Sequence, residues 1–205
     1  GADRIRKGYK LAPCDATACL VAGMLDAEEN MIDDSFEKLS RAVELNGSLF
    51  KDVAGLFISL DRPDLALSIA GDNIGRVSYI SNTLSNTQAD SELTGQVRSQ
   101  LKNLLKAKCE EPDAPARAFV SLANIHRIQD DIGAAIECYR RALALDYSQV
   151  GWRLKLANLL AGENQVPQAI REAKICLRLQ PQYEPAKRLI EKLSVPQDTE
   201  PLISP

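Results

Sequence analysis

The sequence predicts an all-α protein: an α-α superhelix of antiparallel helix pairs, with an irregular long helix in the middle and a capping helix at the C-terminal end. Three observations carry this. Alanine and leucine dominate a chain with only 5% aromatic residues, a balance that suits close-packed helices better than strands. The stretch AIECYRRALALD at 135–146 returns thirty-four residues later as AIREAKICLRLQ at 169–180. Clusters of Gly, Asn, Asp and Pro, QDDIG at 129–133 and GENQVP at 162–167, fall between the apolar-periodic segments, where helices must stop.

In order along the chain, Ile5, Gly8, Tyr9, Leu11 and Pro13 have the spacing of the second helix of a pair. Residues 1–15 therefore read as half a repeat whose first helix lies upstream, and a larger parent protein is expected. A full repeat follows at 16–46, with Ala22-Gly23 at the close-contact positions of its first helix and Leu39, Ala42, Val43 and Leu45 in its second. A degenerate repeat occupies 47–80, with Phe50, Val53, Ala54 and Phe57, then Ala66 and Ala70; it starts about three residues early. Together these form an N-terminal block, 1–80. The connecting segment 81–115 opens on the polar, turn-rich SNTLSNTQADSE and continues as one long helix carrying Leu93, Val97, Leu101, Leu104 and Leu105. Residues 116–195 hold two regular units and a capping helix at 184–193, and 196–205 read as a disordered tail.

Overlaying 116–149 on 150–183 without a gap pairs Leu122 with Leu156, Ala123 with Ala157, Ala135 with Ala169 and Ile136 with Ile170. It also pairs Ala142 with Cys176, Leu143 with Leu177 and Leu145 with Leu179. Small residues recur because two antiparallel helices approach closely only where the facing side chains are small. This period and these residues resemble the tetratricopeptide repeat. Phe119, Leu122, Ala123, His126, Ala135, Tyr139 and Ala142 match its pattern in one unit, and Leu156, Ala157, Leu160, Ala169, Ala173, Cys176 and Pro181 in the next. Tyr147 replaces a closing proline, Trp152 comes one place early, and Arg153 stands in a slot for a large apolar residue.

The resemblance implies a protein-interaction scaffold whose concave face is lined by the first helix of each pair. On that face it places Arg117, Val120, Asn124, Arg127, Leu154, Lys155 and Asn158, continued by Arg188 and Lys192 of the cap. Such a groove suits a protein or peptide partner with acidic or carboxylate groups, the asparagines bonding its backbone and the cations its charge. Asn124 resembles the asparagine of carboxylate-clamp repeats, although Val120 stands where that clamp has a lysine. The succession of RPDLALSIAGDN, an irregular helical stretch and two regular units is also similar to soluble tails of bacterial O-antigen-ligase-type membrane proteins. That likeness implies an accessory domain positioning substrate or partner.

Composition limits other functions. With 45% hydrophobic and 26% charged residues the chain can bury a core. A net charge of −3 and a pI near 5.3 argue against nucleic-acid binding. Residues 1–112 hold 13 Lys and Arg against 17 Asp and Glu, and 113–205 hold 12 against 11, so the C-terminal half is the better place for an acidic ligand. No stretch is long and apolar enough to span a bilayer, and the expected setting is the cytoplasm or a soluble domain of a membrane-associated protein. Cys14, Cys19, Cys109, Cys138 and Cys176 lack a zinc-site spacing and are read as free thiols, and no cofactor or metal is expected. Asn46-Gly47-Ser48 is a glycosylation-type triplet without a secretory signal. His126, the sole histidine, sits between Ile125 and Ile128 in a packing slot. Glu28-Glu29 and Asp33-Asp34 read as solvated helix ends. No catalytic motif appears, and a non-enzymatic module is expected.

Overall fold

The computed structural model describes residues 1–86 and 92–194, which form twelve α-helices and one short 3₁₀ turn, with no strand among them. The tail expected at 196–205 lies outside the described residues. Contacts divide the chain into two compact units, Gly1–Leu104 and Leu105–Pro205. The first contains α1 (Ala2–Leu11), α2 (Ala16–Glu28), α3 (Ile32–Leu45), the turn Gly47–Leu49, α4 (Phe50–Ser59), α5 (Pro63–Ala70), α6 (Ile74–Asn86) and the start of α7 (Glu92–Glu110). The second contains the end of α7, α8 (Ala116–Ile128), α9 (Ile132–Leu145), α10 (Val150–Gly162), α11 (Val166–Leu179) and α12 (Glu184–Ser194). The sequence reading set joints near 80 and 115; the division by contacts falls inside α7.

Four helix pairs, α2–α3, α4–α5, α8–α9 and α10–α11, are built on one turn. Among the described residues, the non-glycine positions at positive φ are Asn30 (62°), Asp61 (58°), Asp130 (59°) and Asn164 (56°), one between the helices of each pair. The left-handed conformation is strained for most L-residues and least so for Asn and Asp, whose short polar side chains tolerate it. In each turn the N–H of the next residue donates to the carbonyl five residues back: Met31 to Asp26 (2.8 Å), Arg62 to Phe57 (2.8 Å), Asp131 to His126 (2.9 Å) and Gln165 to Leu160 (2.8 Å). This is the Schellman closure of a helix C-terminus. The turns at 130 and 164 keep the thirty-four-residue period, and those at 30 and 61 are thirty-one apart, the slip expected of the degenerate repeat. Glycine is not the turn residue: Gly133 and Gly162 lie within α9 and α10.

Each pair buries two small residues twelve apart, one in each helix: Gly23 and Ser35, Ala54 and Ala66, Ala123 and Ala135, Ala157 and Ala169. All are buried, and the six alanines are fully so. The leucine ending each long second helix behaves otherwise. Leu45, Leu145 and Leu179 recur with the pattern yet are 37%, 59% and 39% exposed. Corners between pairs also repeat. The Asn46 Oδ1 accepts from Ser48 N–H (3.1 Å) and Ser48 Oγ–H (2.7 Å), and the Asp146 Oδ1 accepts from Ser148 N–H (3.2 Å) and Oγ–H (2.8 Å). The triplet Asn46-Gly47-Ser48 is thus a corner of the fold.

The polar run after residue 80 departs from expectation: residues 81–86 continue α6 rather than turning. Val77, Ile80, Ser81 and Leu84 form its buried stripe. The hydroxyls do not break the helix, because Thr83 Oγ1–H donates to Tyr79 O (2.9 Å) and Ser85 Oγ–H to Ser81 O (2.8 Å), one turn back. In α7, Thr94, Val97, Leu101 and Leu105 are buried, and Gln100 Nε2–H donates to Gly71 O (3.3 Å). In the second unit α12 buries Ala186 and Leu189 against Ala157, Ala173 and Cys176, covering the last pair.

The seam gives two opposed stability predictions. A Cβ on Gly23 would stand 2.6 Å from Leu39 Cγ and 3.2 Å from Leu39 N, so Gly23→Ala should cost about 1–3 kcal/mol as an overpacking change. Ser35 is fully buried with no partner for its Oγ, so Ser35→Ala should stabilise by about 1 kcal/mol. Denaturant midpoints of the two variants must move in opposite directions.

Candidate functional site

The first helices of the pairs in the second unit, α8 and α10, contain Arg117, Arg127, Arg153 and Lys155 and no Asp or Glu. The second helices of these pairs, α9 and α11, carry one acid each, Glu137 and Glu172, and both are ion-paired. Glu137 pairs with Arg140 (2.6 Å), Glu172 with Arg153 (2.6 Å) and, at the start of α12, Glu184 with Lys187 (2.8 Å). Arg117, Arg127, Lys155, Arg188 and Lys192 are exposed and form no ion pair among the described residues. Arg117, Asn124 and Arg127 recur at seven and three residues along α8, hence on one side of that helix, as Lys155 and Asn158 do on α10.

Two residues of the expected face are less open than its cations. Val120 is only 9% exposed and joins Phe119, Ala123, Ile136 and Tyr139 in the core, because an aliphatic side chain in this register turns into the apolar seam. Leu154 is half-buried and packs against the cluster of Ala157, Ala173 and Cys176. Asn124 is half-buried, with its Oδ1 accepting from Tyr139 Oη–H at 2.8 Å. Tyr139 is fully buried, burial pushes its phenol pKa up, and the hydroxyl needs this acceptor. The bond engages the Asn124 Oδ1 and orients the amide. Asn158 is exposed.

His126 is buried as expected, and its Nδ1–H donates to Asp131 Oδ2 at 2.8 Å, while Asp131 Oδ1 accepts from Ala134 N–H (3.3 Å) and caps α9. The histidine therefore braces a helix turn. Of the acidic runs, Glu29 pairs with Arg6, while Glu28, Asp33 and Asp34 are exposed. Among the described residues no three His, Cys, Asp or Glu side chains gather as a metal site, and no helix is long and apolar enough to cross a membrane.

Residue types alone did not disclose the Arg153 arrangement. The residue is 4% exposed; its guanidinium donates from Nη1 to Glu172 Oε2 (2.6 Å) and from Nη2 to Tyr147 O (3.0 Å), with Cζ 4.3 Å from the Tyr147 ring centroid. The only signal was a charged residue in an apolar slot. All five cysteines are free, and burial raises the thiol pKa of Cys19, Cys109 and Cys138, and that of Cys176 to about 11.

No protein-family model matches the sequence, and no curated protein matches it. Among solved structures, the chain is similar to YrrB, described as a tetratricopeptide protein with an unusual peptide-binding site. The TM-score is 0.57 at 12% identity, over 93% of this chain and 100% of that one. It is also similar to TTC0263, a thermophilic tetratricopeptide protein of Thermus thermophilus (TM-score 0.51, 17% identity, 87% of this chain and 98% of that one). A third is Cut9 in its complex with Hcn1 (TM-score 0.51, 15% identity), where the match covers 94% of this chain and 39% of the other. The fold is that of the tetratricopeptide repeat, an α-α superhelix of helix pairs.

Two outcomes check the interior chemistry. Glu172→Ala strands the Arg153 charge and should cost about 3 kcal/mol, most of it recovered when Arg153→Met is added, as unfolding curves would show. Thiol labelling of the folded protein near pH 8 should reach the exposed Cys14 first and leave Cys19 and Cys176 unmodified until denaturation. Because the folded Cys176 holds its proton to about 11 against an ordinary value of 9.0, its contribution to stability is complete below pH 9. It falls as pH rises from there.

Proposed function

We propose that the protein is a non-catalytic interaction module whose second unit receives an acidic segment of a partner protein. The observation that carries this is charge segregation. In a chain of net charge −3, α8 and α10 are free of carboxylates, and five exposed cations on α8, α10 and α12 have no ion-pair partner among the described residues. Unpaired cations on one set of helices favour carboxylates and speed their encounter. The contact residues of this reading are Arg117, Asn124, Arg127, Lys155, Asn158, Arg188 and Lys192. Asn124 presents its amide to a peptide backbone, held in place by Tyr139. Val120 and Leu154 shape the floor by packing. The peptide-binding description of YrrB is consistent with such a role, though at 12% identity it extends to the fold alone. The reading as an accessory domain of an O-antigen-ligase-type enzyme gains no support from these likenesses.

The test is binding of an acidic peptide, measured calorimetrically at two salt concentrations. The triple change Arg117→Glu, Arg127→Glu and Lys155→Glu should abolish binding, while Arg140→Glu, on a second helix, should leave it within a factor of about two. Equal affinity in the triple variant, or insensitivity to salt, removes the electrostatic basis of the proposal.

A further inference from the structure

The first unit holds a cavity of about 470 Å³ where α3, α5 and α6 meet, in the size range of small-ligand sites, about 300–1,000 Å³. Its lining combines aliphatic and aromatic surface from Phe36, Val43 and Ile69 with Ser40, Ser68 and Arg76.

Arg76 is placed with care. Its guanidinium carbon lies 5.0 Å from the Phe50 ring centroid, and its Nη1–H donates to Ile69 O at 3.3 Å. Its backbone N–H donates to Asn73 Oδ1 at 3.0 Å, which anchors the helix turn below it. Gly47 makes room, since a Cβ there would come within 3.2 Å of Arg76 Nη2. The half-buried cation forms no ion pair among the described residues. The acid sharing the cavity, Glu44, is occupied by Arg41 at 2.9 Å. The Ser40 hydroxyl is enclosed and has no partner, and rotation about χ1 is the small motion that would offer it to a ligand.

We propose that this cavity binds a small amphiphilic monoanion: one carboxylate-type head on the Arg76 fork, with Ser40 and Ser68 as further donors, and an aliphatic body against Phe36, Val43 and Ile69. A planar, fixed guanidinium suits an oxyanion with two acceptor oxygens. The nearby Glu44 carboxylate disfavours a second negative charge on the guest, and the apolar surface of Phe36 and Ile69 favours an aliphatic body over a bare hydrated ion. The site is separate from the basic helices of the second unit, so it stands or falls independently of them.

The probe is sodium octanoate, followed through the Arg76 Nε–H resonance of the full chain, with 1-octanol and inorganic phosphate as comparisons. Octanoate should shift that resonance saturably in the millimolar range or tighter, and more tightly than either comparison. Ser68 is exposed, so Ser68→Glu should leave the fold intact while weakening octanoate by about tenfold or more through charge repulsion at the cavity. Arg76→Gln, followed through the backbone amide resonance of Ser68 instead, should abolish the interaction, whereas Arg117→Glu should not alter it. An unmoved Arg76 resonance overturns the proposal. Equal affinity for phosphate or octanol, or unchanged affinity in Ser68→Glu, does so too.

Discussion

Helices of each pair can lie close together because each buries a small residue along the seam: Gly23 and Ser35, Ala54 and Ala66, Ala123 and Ala135, Ala157 and Ala169. In the first pair the approach is so close that Gly23 leaves no room for a Cβ beside Leu39. Close approach leaves little room to reverse direction, and the reversal is made by a single left-handed Asn or Asp closed by a hydrogen bond across five residues. Seam and turn are therefore one constraint seen at two places. Once they are satisfied, nearby positions can vary widely: Leu39, Ala70, Tyr139 and Ala173 stand at the same distance past their turns. Where the variable residue is Tyr139, its hydroxyl brings Asn124 into a fixed orientation, so a packing choice becomes a feature of the surface.

Charge is distributed by the same architecture. On α3 and α9 an acid stands three residues from a base, Glu44 with Arg41 and Glu137 with Arg140, and such exposed neighbours neutralise one another with little effect on stability. First helices of the second unit have no acids to do this. A chain of net charge −3 thus contains two helices, α8 and α10, whose only charged side chains are basic.

The thirty-four-residue period, the alanine positions and the burial of His126 were legible because each reflects a local rule that repeats. The bounds of α6 were not, since serines and threonines that usually signal a turn satisfied themselves on the preceding turn of the helix. Recurrence does not track burial everywhere: the leucines ending α3, α9 and α11 recur and remain exposed. Among the candidate residues, Val120 sat in the expected register, but its aliphatic chemistry drew it into the core. The partnership of Arg153 with Glu172, nineteen residues away, and the cavity beside Arg76 were out of reach because several helices must be assembled before their members meet.

Helix α7 carries the division between the two units in its interior. Most multidomain chains mark such a division with a loose tether that a protease can sever or an insertion can lengthen. Here the joint is an ordered backbone with its own hydrogen-bond ladder, so a fragment ending at that division would leave a frayed, half-finished helix on either side.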